Sequence, residues 1–119
     1  MTPGFKIELQ EDIVTIKFAG GVRLFEIFEA IDIVSRYYQA KPRLWDLSAG
    51  IHLDPDQVRM IAKQGKVRFL KPSKAAIVIP NSVSLELTTI FEIFRADDFT
   101  ENRVFRSKDE AVAWLQEPL

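Results

Sequence analysis

The chain has 119 residues, 47% of them apolar, with sixteen lysines and arginines against seventeen aspartates and glutamates. That length suits one domain, able to bury roughly two thirds of its unfolded surface, so residues 1–119 are expected to fold as a single unit. A net charge of −1 excludes a global attraction to nucleic acid or anionic lipid, and the absence of cysteine excludes disulfides, thiol nucleophiles and the common structural zinc sites.

Residues 1–6 lack the apolar core of a signal peptide, and no apolar run approaches the ~18 residues of a membrane span. The expected location is cytoplasmic.

Phe5, Ile7 and Leu9 alternate with Lys6 and Glu8 as a half-buried strand requires, and Val14, Ile16 and Phe18 repeat the pattern after Gln10, Glu11 and Asp12. A tight antiparallel hairpin follows from that spacing. Gly20 and Gly21 end the second strand. Over residues 22–38, Leu24, Phe28, Ile31 and Val34 recur at helical spacing, and Ile27, Ala30, Ile33 and Tyr37 widen the apolar face. A sheet covers only one stripe of such a helix, so Ile27, Ile33 and Tyr37 are expected to lie partly exposed and to support a homodimer.

Residues 43–47 show no surface alternation and suit a parallel strand covered on both faces. Asp54, Pro55 and Gln57 read as a helix start, with Asp54 as cap, Pro55 at the first helical position and Gln57 closing a capping box. Val58, Ile61 and Ala62 are the expected buried stripe, and Gly65 lies near the end of this helix. Residues 75–79 form another buried strand. Val83, Leu87, Ile90, Phe91 and Phe94 then mark a third helix. Residues 103–106 are a last short strand, and Ser107 with Glu110 makes a capping box for a helix carrying Ala111, Trp114 and Leu115. The order ββαβαβαβα predicts an α/β fold with a mixed, mainly parallel five-stranded sheet, an N-terminal hairpin and about four helices.

Leu44-Trp45-Asp46-Leu47-Ser48, followed by Asp54 at a helix start, resembles a STAS domain, the fold of bacterial anti-anti-sigma factors. Three stretches sharpen the resemblance toward the divergent SpoIIAA-like group: Ala75-Ala76-Ile77-Val78-Ile79-Pro80, Phe91-Glu92-Ile93-Phe94, and Arg103-Val104-Phe105-Arg106 leading into Glu110-Ala111-Val112-Ala113-Trp114-Leu115. The resemblance implies a regulatory module that binds a protein partner, or sometimes a small apolar ligand, and performs no chemistry itself. In the regulatory members the helix-start aspartate is followed by two serines, the second phosphorylated by an anti-sigma kinase. Here Pro55 and Asp56 stand at those positions, so a switch by that route is absent.

His52, the single histidine, lies in the loop before the second helix, near Asp46, Ser48 and Asp54. A hydrolytic triad is one reading of that group, yet no Gly-x-Ser-x-Gly occurs, and a loop histidine with a structural hydrogen bond is the expectation. One histidine among scattered carboxylates has no metal-ligand spacing, and Gly21 and Arg23 lie in a strand-to-helix turn without the pattern of a phosphate loop. No catalytic residue, metal or cofactor is therefore assigned. Parallel sheets bind ligands at the carboxyl ends of their strands. That places a candidate cleft at Gly21, Arg23, Ser48, His52, Asp54, Asp56, Asn81 and Ser82.

Arg59, Lys63, Lys66, Arg68, Lys71 and Lys74 follow one another with no acidic residue between them. Such a run is either a solvated face or a docking patch for an acidic partner or anionic surface, with Met60, Val67, Phe69 and Leu70 adding apolar contact. Asp97, Asp98 and Glu101 are an acidic counterpart for a contact between subunits. No nucleic-acid signature accompanies the run. The alternatives to a protein-binding module are a carrier of a small apolar or lipid-like ligand and, third, a small hydrolase.

Overall fold

A computed structural model describes residues 4–51, 53–81, 89 and 100–117. They form β1 (Phe5–Gln10), β2 (Ile13–Phe18), α1 (Leu24–Tyr37), β3 (Arg43–Asp46), α2 (Pro55–Arg68), β4 (Ser73–Val78), β5 (Thr100–Phe105) and α3 (Lys108–Leu115). The fold is α/β. Apart from Thr89, which is helical, the helix expected around Val83 to Phe94 lies outside the described residues, along which three helices are traced.

The five strands lie in the order of the chain, β1-β2-β3-β4-β5. β1 is antiparallel to β2, and every later pair is parallel. The hairpin closes through Glu11 and Asp12, both with positive φ, 50° and 67°. That is the left-handed geometry which matches a two-residue turn to the twist of its strands. Asp12 is held there by an ion pair with Lys41.

The sheet is covered on both faces. On one, Val14, Ile16 and Phe18 of β2 meet Ile27, Ala30, Ile31 and Val34 of α1, with Phe69 buried beside them. α2 lies alongside α1 and turns Val58, Ala62 and Gly65 inward, four and three residues apart, as one helical stripe requires. On the other face Ile13, Leu44, Ala76 and Val78 meet Ala111, Trp114 and Leu115 of α3. Alternation along β3 explains the division, since Leu44 enters the α3 cluster while Trp45 packs on the α1 cluster. All six residues of β4 are buried, as expected of a central parallel strand.

Several expectations need correction. Phe5 and Ile7 pack on the core, but Leu9, next to the hairpin turn, is exposed. Of the three α1 residues expected to lie partly exposed, Ile27 is instead buried in the cluster shared with β2, while Ile33 is half-buried and Tyr37 exposed as expected. The exposed apolar residues of α1 are Phe25 and Tyr37. β5 begins at Thr100, three residues before the expected start, pairing Thr100 with Ser73. At α3, Ser107 Oγ accepts from the Glu110 N–H at 3.4 Å, the forward half of the expected box.

Phe69 is not a surface residue of the basic run. Its ring is buried, edge-on to Trp45 at 6.2 Å, and Trp45 in turn stacks on Phe18 at 6.3 Å. The Arg43 guanidinium lies 3.8 Å from the Phe69 ring centroid. Phe69→Ala is expected to cost about 3–5 kcal/mol, measured by urea denaturation. Val67→Ala and Leu70→Ala, on exposed neighbours in the same run, should each change stability by less than about 1 kcal/mol. Equal losses at all three positions would contradict this packing.

Candidate functional site

The carboxyl ends of β2, β3 and β4 lie side by side, and their loops touch through the backbone. Val22 and Ile51 form an isolated parallel bridge that extends the β2–β3 pairing across the loops. The Leu47 N–H donates to the Val78 carbonyl at 2.8 Å, and the Ile79 N–H to the Phe105 carbonyl at 2.9 Å. Arg106 Nη1 donates to the Pro80 carbonyl at 3.0 Å, tying the β4 exit to the β5 exit. The structure thus gathers the loops bearing Gly21, Arg23, Ser48, Asp54 and Asn81 at one end of the sheet.

Gly21 has φ +74°, a conformation that side chains other than glycine's rarely adopt, and it turns the chain from β2 into α1. Arg23 is exposed and serves as the N-cap residue of α1, where its N–H donates to Glu26 Oε1 at 3.1 Å. Asn81 is exposed in the turn after β4. His52 and Ser82 lie outside the described residues, as do Asp97 and Asp98; Glu101 is exposed on β5.

The polar side chains in the loop after β3 are engaged locally. Asp46, buried at the end of β3, accepts through Oδ1 from the Ser48 N–H at 3.0 Å and from Ser48 Oγ–H at 2.5 Å. This turn keeps the hydroxyl on the carboxylate and steers the chain out of the sheet. Asp54 accepts from the Gln57 N–H at 2.8 Å, while Gln57 Oε1 accepts from the Asp54 N–H at 3.0 Å, a reciprocal box that closes the start of α2. Asp56 stands in the first turn, its side chain 88% exposed, and pairs with Arg59 Nη1 at 2.8 Å.

The basic run does not act as a unit. Arg59 is paired with Asp56, and Arg68 reaches across to Asp32 of α1, which also holds Arg36 at 2.6 Å. Lys74 is buried, its Nζ donating to the carbonyls of Trp114 and Glu117 at 3.0 Å each and lying 4.8 Å from the Trp114 ring. It caps α3, where a cation is favoured by the negative end of the helix dipole. Lys63, Lys66 and Lys71 are exposed, with no ion-pair partner among the described residues.

Sequence reasoning passed over Gln39, which joins the ends of α1 and α2. Its Nε2 donates to the carbonyls of Ser35 and Arg68, at 2.8 Å each, and its Oε1 accepts from the N–H groups of Leu70 at 2.6 Å and Lys71 at 3.3 Å. Only the i, i+4 relation to Ser35 leaves a trace in the sequence; the other partners lie about thirty residues away.

Among the described residues no helix is long and apolar enough to cross a membrane, and no cluster of three acidic or histidine side chains is arranged to hold a metal. Comparison with family models, with curated proteins and with solved structures finds no match.

Replacing Asp54 by Ala removes the cap of α2 and is expected to cost about 1 kcal/mol, read from chemical denaturation, whereas Asp54→Asn should retain most of it. Equal losses for the two variants would show that the carboxylate charge, and not the capping hydrogen bond, holds this turn.

Proposed function

We propose that this chain is a non-catalytic protein-binding or regulatory module of the STAS, SpoIIAA-like type, and that the start of α2 with the adjoining β3 loop is its recognition surface. The observation carrying this reading is Asp56. It stands exposed in the first turn of a capped helix, where the resembled regulators carry a phosphorylatable serine, and is bridged to Arg59. The bridge and the cap give the surface one preset conformation, which lowers the ordering cost of binding a partner.

The hydrogen bonds of Asp46 and Ser48 support a binding role over a hydrolytic one. The serine hydroxyl already donates to a carboxylate two residues away, a local turn that needs no histidine to orient it. The reading includes a cytoplasmic location and self-association as a homodimer, and the exposed Phe25 and Tyr37 of α1 are the residues on which the dimer contact is proposed.

The test is affinity capture from the native cell, with wild type and with Asp56→Asn, Asp56→Ser and Asp56→Lys as bait. Asp56→Asn should lower stability by about 0.3–1 kcal/mol, the worth of a carboxylate at a helix N-terminus. Asp56→Lys, with circular dichroism unchanged, should lose the captured protein, because it reverses the charge at the centre of the proposed surface. Capture unaffected by Asp56→Lys would move the binding surface elsewhere. A hydrolytic activity of the purified chain abolished by His52→Ala would replace this reading with an enzymatic one.

A further inference from the structure

We propose that the outward face of α2 docks the protein reversibly on an anionic lipid surface. This goes beyond the proposed protein-binding role, and it uses a different face of the same helix. Met60 and Val67 are seven residues apart, two helical turns, and so share one face; Lys63 lies between them, three residues from one and four from the other. That face is opposite the buried stripe of Val58, Ala62 and Gly65. Met60, Val67 and Leu70 are 49%, 60% and 58% exposed, although all three are aliphatic or thioether side chains that favour burial. Lys63, Lys66 and Lys71 surround them, exposed and without an ion-pair partner among the described residues.

The orientation of this face is structurally determined. Phe69 turns into the core, and Gln39 accepts from the Leu70 and Lys71 N–H groups, which holds the backbone at the exit of α2 where the Leu70 and Lys71 side chains are exposed. The two other basic residues of the helix are drawn into ion pairs with Asp56 and Asp32, leaving three lysines around three apolar side chains.

Lipid suits this arrangement better than an acidic protein does. A stable protein interface needs roughly 800 Å² per partner and is anchored by aromatic or arginine side chains, while lysine is depleted at its core. On this face the one aromatic residue is buried, and the cations are lysines whose long stems let the ammonium reach outward while apolar neighbours enter the headgroup boundary. A charged bilayer surface demands no shape complementarity, and neighbouring lysines add to its attraction within a Debye length.

The test is co-sedimentation of the full chain with vesicles of phosphatidylcholine alone or mixed with phosphatidylglycerol. Binding is expected to the mixed vesicles only, weakening as salt rises. Lys63→Glu/Lys66→Glu should weaken it on the order of 30-fold. Met60→Ser/Val67→Ser, at unchanged charge, should also weaken it, with circular dichroism showing both variants folded. Absence of binding to the mixed vesicles would overturn the proposal, as would undiminished binding by the charge-reversed variant. Binding to soluble polyglutamate without binding to the vesicles would overturn it in favour of an acidic polypeptide. None of these outcomes bears on capture by Asp56 variants, so the two proposals fail separately.

Discussion

A buried arginine sets the arrangement of this domain. Arg43 begins β3 and is wholly inaccessible, and a guanidinium does not lose its charge at any ordinary pH, so the surrounding structure must offset its desolvation. Nη1 donates to the carbonyls of Gln39 at 3.1 Å and Lys41 at 3.2 Å, and the guanidinium lies against Phe69. One face of the cation meets a π-system and its edge meets backbone oxygens, an arrangement that lysine, with a compact and strongly hydrated ammonium, does not reproduce. Because Gln39 and Lys41 follow α1 while Phe69 is the C-cap of α2, satisfying this one charge requires both helices to end beside the start of β3.

Gln39 completes the junction and converts that requirement into a direction for α2. Its amide group donates to the last carbonyls of α1 and α2, and its oxygen accepts from the two N–H groups that follow Phe69. Each would otherwise be an unpaired backbone group at a helix end. Asp32 adds a carboxylate between Arg36 and Arg68 on the same side. With its exit held by these contacts and its entry by the Asp54–Gln57 box, α2 has little rotational freedom. The exposure of Asp56 at one end and of Met60 and Val67 along the outer face follows from that restraint.

The layered architecture was legible in the sequence because period and punctuation agree there. Alternation marked β1 and β2, the unbroken apolar run marked β4, and the Asp54-Pro55 start of α2 appears residue for residue. Legibility failed where long-range contacts decide. Ile27 was expected to lie partly exposed because one sheet covers one stripe, but it is buried within the cluster that α1 shares with β2. Phe69 was expected to add apolar contact to the basic run at the surface, yet it follows the last turn of α2 and lies buried against Arg43. At the strand ends, the sequence indicated which loops would meet, and the structure joins Val22 to Ile51; the inward engagement of Asp46 with Ser48 depends on a turn geometry that residue types alone do not specify.

The basic run shows why charge counted along a chain is a weak guide to charge presented by a fold. Six like charges in sequence become three different physical objects. Arg59 and Arg68 are halves of ion pairs, each near an end of α2 with its partner carboxylate on the same helix or on α1. Lys74 has left the surface altogether: on the interior strand β4 both faces are covered, and its ammonium caps the carbonyl end of α3 beneath Trp114. Of the remaining lysines, Lys63 and Lys66 stand exposed on α2 and Lys71 just beyond its end. That selection is made by topology, since the strand order places β4 in the interior while α2 packs alongside α1, and a shift of α2 by a single residue would exchange Lys63 with Ala62 and bury a charge. The positive face is thus tied to the same register that buries Val58, Ala62 and Gly65, and the core and the proposed docking surface stand or fall on one helical phase.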